Sequence, residues 1–442
     1  MKTYEDWAGI ETEADKQDFV YSAIKEHRSS RIYKEAIVAE KYARHRNVTI
    51  NEYQKILYTL TGKAVPDRWG ANYKMACRHF YRFVTQENQY LLGNGVSWQD
   101  NTTAEKLGTK KKSFDKQLQE LGKAALIMGV AFGFYNLDHI DVFKVTEFVP
   151  IYDETNGALR VGIRFWQIEE RKPLRATLYE EDGYTEYMWK DGECEILQDK
   201  RAYVLTLAET AVDTEIYDGM NYPTLPIVPL WGNPEHQSEL TGLREQIDCY
   251  DLIKSGFANT VDEASIIYWL IQNGGGMDDI DLAKFVERVK TVHAAVVEDD
   301  GARAESHTLE APYQSREALL ERLDRDLYRD AMALDVDRIA SGAITATQIR
   351  ASYEALNSKV DEYEYCVLDF VDRILELAGI DDNATFTRSQ MVNTAEEIQN
   401  LVSAAPFLPA EYVTEKILAV LGDKDRTEEI IKQIHANELA MM

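Results

Sequence analysis

The chain has 442 residues, 28% charged and 45% hydrophobic, with neither collagen-like nor low-complexity composition, which excludes a fibrous or wholly disordered protein. Its length allows about three domains or layers and ample core. Forty-nine Lys and Arg against 76 Asp and Glu give a net charge of −27. That excludes tight nucleic-acid binding by the whole surface, because such binding neutralises phosphates with basic side chains.

The charge is uneven: residues 1–130 carry 21 basic and 16 acidic side chains, net +5, leaving −32 on the remainder. Cys77, Cys194, Cys249 and Cys366 lie far apart with no CxxC pair, which points to a reducing compartment and away from a disulfide framework or zinc ribbon. The opening MKTYEDWAGIETEADKQD is acidic and lacks an apolar centre, so no secretory signal is expected. The longest apolar stretch, Ala124–Leu137, is about 14 residues against the roughly 20 of a membrane helix. The expectation is a soluble cytosolic chain without membrane contact.

Residues 11–60 read as helical, rich in Ala, Glu, Lys, Arg and Tyr, with no proline before Pro66. ANYKMACRHFYRFVTQENQYLL, 71–92, continues as helix to a stop at Gly93-Asn94-Gly95. A third helix is predicted from about Ser113 to Leu126, followed by the glycine-punctuated GVAFGFYNL. From about residue 140 strands dominate. VFKVTEFVPIY and ALRVGIRFWQI flank Asn156-Gly157, while Asp182-Gly183 and Asp191-Gly192 separate RATLYEE, YTEYMWK and ECEIL. Such dipeptides mark hairpins because both turn residues tolerate positive φ. With AYVLTLAE, residues 140–230 should form five to seven antiparallel strands, closed by PTLPIVPLWGNP as a rigid extended connector.

Helix returns at about 235, where Leu240, Leu243, Ile247, Tyr250, Ile253, Phe257 and Val261 make one apolar stripe. The next segment reads as a small α/β module with turns at its triple glycine and at Asp299-Asp300-Gly301. Ser315 is the expected N-cap of a helix carrying Leu320, Leu323, Leu327, Ala331 and Leu334, interrupted by DRIASGAITATQ. Ile349, Tyr353, Leu356, Val360, Tyr363, Val367, Phe370, Ile374 and Leu377 then alternate spacings of four and three. That seam predicts a helix of roughly 45 Å, stopped by Gly379, and suits tertiary packing or oligomerisation equally. The tail, 390–442, reads as two or three short helices broken by Pro406 and Pro409.

No catalytic constellation emerges. Thr61-Gly62-Lys63-Ala64 lacks the earlier glycine and the hydroxyl of a phosphate loop, and there is no GxSxG, HExxH or paired histidine at ligand spacing. Asp278, Asp279 and Asp281, or Asp335 and Asp337, are the carboxylates that could gather Mg²⁺, but the calcium-loop pattern is absent and alternate residues on a helix do not share a face. No catalytic, cofactor or metal residue is assigned, and the chain is not expected to be an enzyme.

Five segments, in order over about residues 85–365, resemble the portal (head–tail connector) proteins of long-tailed double-stranded DNA bacteriophages. SELTGLREQIDCYDLIKSGFANTVDEASIIYWLIQNGGG places Asp248, Tyr250, Asp251, Ser255, Asn259 and Asp262 where that family carries its stem-helix series. LPIVPLWGNPEHQSEL looks like the family's passage from wing to stem, ENQYLLGNGVSW like its Tyr-Leu-x-Gly element, and PIYDETNGALRVGIRFWQ like its wing hairpin. IASGAITATQIRASYEALNSKVDEYE looks like its channel loop and long helix.

The resemblance implies a mostly helical α+β fold that assembles into a ring of about twelve copies. It implies a wing over 1–234 with its β region at 140–230, stem helices at 235–262 and 313–335, and a small α/β clip at 263–312 between them. A tunnel loop at 336–347, a long spanning helix at 348–379 and a helical crown at 380–442 complete it. Arg338, Ile339, Ala340, Ser341, Gly342, Ala343, Ile344 and Thr345 would line the DNA channel. The implied partners are duplex DNA in the lumen, a terminase motor, adaptor and head-completion proteins, and capsid and scaffolding proteins. The protein would sit at the portal vertex of the virion after assembly in the host cytoplasm.

Residue chemistry agrees: an acidic lumen would repel phosphates and let DNA slide. Arg316, Arg322, Arg325 and Arg329 intermixed with Glu321, Asp324, Asp326 and Asp330 could pair between neighbouring copies. Two readings of other classes stand beside this one. One is a helical oligomeric scaffold or adaptor without a channel; the other is a carboxylate-dependent hydrolase using one of the Asp clusters.

Overall fold

The long helical stretch at the start is divided by its own capping residues. Ser30 is extended (φ −65°, ψ 157°) and its hydroxyl accepts from the Tyr33 amide, so one helix ends and the next begins there. The computed structural model describes residues 2–58, 62–68, 70–100, 102–169, 171–209, 214–264, 268–272, 303–307, 313–337, 351–389, 394–421, 427 and 430–434. Four helices open the chain: α1 (Tyr4–Ala8), α2 (Glu13–Ser29), α3 (Arg31–Ala43) and α4 (Val48–Glu52). A short hairpin, β1 (Ile56–Tyr58) with β2 (Ala64–Pro66), ends the expected helical region early. Helix α5 (His79–Leu92) starts eight residues later than the helical pattern of 71–92 suggests, and residues 71–78 carry no regular secondary structure.

After β3 (Val96–Trp98) and the short α6 (Thr103–Lys106), α7 (Phe114–Met128) has Ser113 at its N-cap position. Three strands follow, β4 (Val130–Asn136), β5 (His139–Lys144) and β6 (Phe148–Tyr152), then β7 (Leu159–Trp166), β8 (Leu174–Glu180), β9 (Gly183–Lys190) and β10 (Glu193–Arg201). Strands β6 to β10 form a five-stranded antiparallel meander. Three of its four turns sit at the dipeptides read from the sequence, the exception being the β7–β8 connection; Asp191 and Gly192 both take positive φ (52° and 89°), the geometry that matches strand twist.

The bulged hairpin of β11 (Val204–Glu209) with β12 (Thr214–Met220) and then β13 (Ile227–Trp231) bring the strands between residues 139 and 231 to nine, more than the five to seven expected. The difference lies partly in the proline-rich connector, which contains β13. Pro229 is tolerated because β13 is an edge of the three-stranded sheet β13-β4-β5, where one side of the strand needs no amide donors.

Helix α8 (Arg244–Ala264) begins nine residues after the expected start, because 232–243 is a series of turns with positive φ at His236 and Gly242. Of the segment that follows, an antiparallel pair is described, β14 (Tyr268–Gln272) with β15 (Arg303–His307); Asp278, Asp279 and Asp281 lie outside the described residues. Helix α9 (Tyr313–Asp330) starts two residues before Ser315, so Ser315 is not its N-cap. Helix α10 (Glu354–Ala378) ends at Gly379 in the left-handed region (φ 65°). Beyond β16 (Ala384–Phe386), which pairs with β3, lie α11 (Thr394–Ala404) and α12 (Ala410–Leu421). The protein is thus mixed α and β with antiparallel sheets.

Three cores hold this together. Phe19, Val20, Ala23 and Ile24 of α2 pack on Ile151, Val161, Ile163 and Phe165 of the five-stranded sheet. Phe132, Phe134, Phe143, Phe148 and Tyr179 fill the space between the two sheets. The largest core joins α5, α7 and α10: Leu356, Val360, Tyr363, Val367, Phe370, Ile374 and Leu377 are all buried. Helix α10 crosses β4 at Gly133, where an added Cβ would stand 2.6 Å from the Phe370 ring.

Candidate functional site

Asp248, Asp251, Ser255, Asn259 and Asp262 recur on α8 at steps of three and four and therefore share one face. Residues 71–78 lie along it. Asp251 Oδ1 accepts from the Cys77 amide at 2.8 Å, Ser255 Oγ from the Met75 amide at 2.9 Å, and Asn259 Oδ1 from the Tyr73 amide at 2.7 Å. Acceptors one helical turn apart, about 6.0 Å, meet alternate amides of an extended chain, about 6.6 Å apart. The side chains of a helix thus do for this strap what a neighbouring strand does in a sheet.

The top of the ladder is tied to the N-terminal helices. Asp251 Oδ2 accepts from Asn47 Nδ2 at 2.5 Å, while Asp248 accepts from the Tyr42 hydroxyl at 2.5 Å and the Thr49 hydroxyl at 2.7 Å. Asp251 is fully buried; burial raises its pKa, although its bonds from Asn47 and Cys77 pull the other way. Burial and the nearby Asp251 carboxylate push the Cys77 thiol up to about 12. Tyr250 lies off the ladder with its ring edge-on to His79, centroids 5.0 Å apart, and Asp262 is exposed near the end of α8. The polar face of α8 is thus buried at Asp251, Ser255 and Asn259; of the apolar stripe, Leu240 and Leu243 in the turns before the helix and Ile247 within it are buried, and Val261 is open to solvent.

Arg338, Ile339, Ala340, Ser341, Gly342, Ala343, Ile344 and Thr345 lie outside the described residues, but both approaches to them are described. Helix α5 grips the two. On the incoming side, His79 Nε2 stands 2.7 Å from Asp324, Arg82 donates to the Tyr328 hydroxyl, and the Gln86 amide bonds both backbone groups of Leu334, at 2.9 and 3.0 Å. On the returning side, the Tyr90 hydroxyl donates to Asn357 at 2.6 Å and its ring stacks on Tyr353.

Between these contacts sits a buried charge triad. Lys359 Nζ lies 2.8 Å from Glu87 and 2.6 Å from Glu239, and donates to the Ala331 carbonyl at 3.3 Å. Burial pushes the Glu87 carboxyl up to about 8; Lys359 opposes that shift and Glu239 adds to it. Burial alone would lower the pKa of Lys359, but the two glutamates more than offset it. The triad joins α5, the turns before α8, the end of α9 and α10 at a single ammonium.

The arginines of α9 are partly satisfied within their own helix: Arg329 pairs with Asp326 at 2.9 Å and Arg322 with Asp326 at 3.7 Å, while Arg316 reaches Thr260 of α8 at 2.7 Å. Asp335 and Asp337 line a cavity of about 610 Å³ together with His79, Arg82, Asp324 and Arg325. Among the described residues no cluster of three or more His, Cys, Asp or Glu is placed to hold a metal ion, and no helix is long and apolar enough to cross a membrane. What the arrangement does is mechanical: it fixes the pair α8 and α9, and both approaches to 338–350, on one helix. Sequence reasoning named the six α8 residues but missed Asn47, Gln86, Glu87 and Lys359, whose partners are distant in the chain.

A family model described as "Phage portal protein, SPP1 Gp6-like" matches residues 23–438. The portal protein of Clostridium phage phiCD119 is 25% identical over 286 residues, which are 62% of this chain and 61% of that protein. The match therefore spans about three fifths of that relative's length. The portal protein of Bacillus phage SPP1 is 24% identical over 381 residues, 80% of this chain and 74% of that one. Among solved structures, a chain from the neck of an empty GTA particle computed with C6 symmetry is 12% identical, with a TM-score of 0.48, covering 78% of this chain and 90% of its own.

Proposed function

The chain belongs to the phage portal proteins of the SPP1 Gp6-like family, and we propose that it acts as the portal of a tailed double-stranded DNA phage. In this reading about twelve copies close head-to-tail into a ring at one capsid vertex. DNA enters through the ring during packaging and leaves through it at infection. The ring is a conduit, not a catalyst; a terminase motor supplies the work and adaptor proteins join the ring to the tail. Residues 1–234 form most of the wing, 235–262 and 313–335 the stem, and 263–312 the clip. Residues 336–347 form the tunnel loop, 348–379 the spanning helix and 380–442 the crown.

The observation that carries this reading is the family match over 23–438, which takes in the stem series and the channel segment together. Two further features support it. The net charge of −32 beyond residue 130 would keep a phosphate backbone from adhering, so translocation would not stall. The grip of α5 on Leu334 and Lys359 holds the approaches to 338–350.

The test is the native mass of the purified chain, with negatively stained images of the same sample. Rings of about twelve copies with a central hole are expected. A chain that stays monomeric both alone and when coexpressed with capsid and scaffolding proteins would overturn the portal assignment.

A further inference from the structure

In a strongly acidic chain, one groove runs the other way. Between α2 and the end of the five-stranded sheet lies a cavity of about 1070 Å³ lined by Lys25 and Arg28 of α2, Arg171 and Lys172 of the β7–β8 turn, and Lys190 of β9. The opposing charges at its walls are Asp18 and Asp191. Elsewhere on this sheet Arg160 pairs with Glu181 at 2.8 Å and Lys200 with Asp182 at 2.5 Å. Among the described residues Lys25, Arg171, Lys172 and Lys190 have no such carboxylate partner. Arg28 lies over the Phe165 ring, and the rings of Tyr21 and Trp189, 5.9 Å apart, form an aromatic shelf; Tyr21 is 48% exposed.

We propose that this groove docks an acidic peptide segment of a partner protein, one with several Asp or Glu around an apolar or aromatic side chain. Carboxylates would meet Lys25, Arg171, Lys172 and Lys190 while the apolar side chain covers Tyr21 and Trp189. The amide of Gln17, also at the groove, suits a peptide backbone. Nucleic acid fits less well: its charge is continuous along the strand, so phosphates would fall against Asp18 and Asp191. A peptide can place neutral residues at those two points. The groove has this character whether or not the chain forms a ring.

The experiment measures anisotropy of a fluorescein-labelled undecapeptide with a central Phe, in which two Ser interrupt the run of Asp and Glu, titrated with the full chain. Lys172→Glu with Lys190→Glu should weaken binding by about tenfold or more. Lys110→Glu with Lys111→Glu, the same charge change at exposed positions outside the groove, should alter it less than about twofold. Tyr21→Ala, which keeps every charge, should weaken binding about threefold. If the first double variant melts early, Lys172→Gln alone is read in its place. No binding by the native chain, equal weakening by the two double variants, or tighter binding of an oligothymidylate of the same net charge would each overturn the proposal.

Discussion

Asp251 accepts two hydrogen bonds with one buried carboxylate, so its removal strands the Cys77 amide and leaves Asn47 Nδ2 only its longer bond to the Cys77 carbonyl, at 3.4 Å. Asp251→Ala should cost about 2–4 kcal/mol and Asp251→Asn roughly half as much, since one acceptor survives. Urea unfolding measures both, and a loss below about 0.5 kcal/mol for the alanine variant would show that the strap is held by other contacts. Glu87 yields a pH prediction. Its folded pKa of about 8 lies above its ordinary value of 4.5, so between those limits the folded chain keeps a proton that the unfolded chain has released. The stability this contributes is complete below about pH 4.5 and is lost as pH rises through 8, on the order of a few kcal/mol. Glu87→Gln should flatten that slope; an unchanged slope from pH 5 to 8 in thermal melts would assign it to another group.

At the scale of elements, α10 and β4 meet so closely at Gly133 and Phe370 that the two positions must be coupled. Gly133→Ala should cost about 1–3 kcal/mol and Phe370→Ala about 3–5. In the Phe370→Ala background the added methyl should be close to neutral, because the ring it would strike is gone. Strict additivity in the double-mutant cycle would contradict that contact. The seam from Tyr353 to Leu377 was legible because its period is local and nearly unbroken, and the hairpins because Asn-Gly and Asp-Gly carry their own backbone preference. The start of α5 was not. Ala71 to Arg78 has a helical texture, but its amides are taken by α8 side chains about 180 residues away, and no local pattern carries that information. The same holds for the triad of Glu87, Glu239 and Lys359, in which each member alone reads as one more surface charge.

For the whole molecule, the polarity of the charge and the anchoring of the approaches to 338–350 lead to a separable outcome. Deleting residues 339–346 should leave the fold of the subunit intact, because the contacts described on either side belong to Leu334, Tyr353, Asn357 and Lys359. DNA packaging should fail in that variant, measured as nuclease-protected DNA in assembled particles beside ring counts from stained images. Intact rings with normal packaging would remove the channel role from this segment. Family membership was readable in the sequence; the clamp on the approaches was not, since it exists only once α5, α9 and α10 come together.

The ladder between α8 and the 71–78 strap also has a mechanical meaning. Alternate amides along the strap are chemically alike, and the three acceptors sit one turn apart, so a shift of the helix by a full turn would offer the same kinds of bonds again. A shift by half a turn offers none. The three bonds therefore fix the register of the pair as teeth fix a rack: any displacement short of a full turn breaks all of them. The bonds of Tyr42, Asn47 and Thr49 to Asp248 and Asp251 act as the pawl that selects one notch.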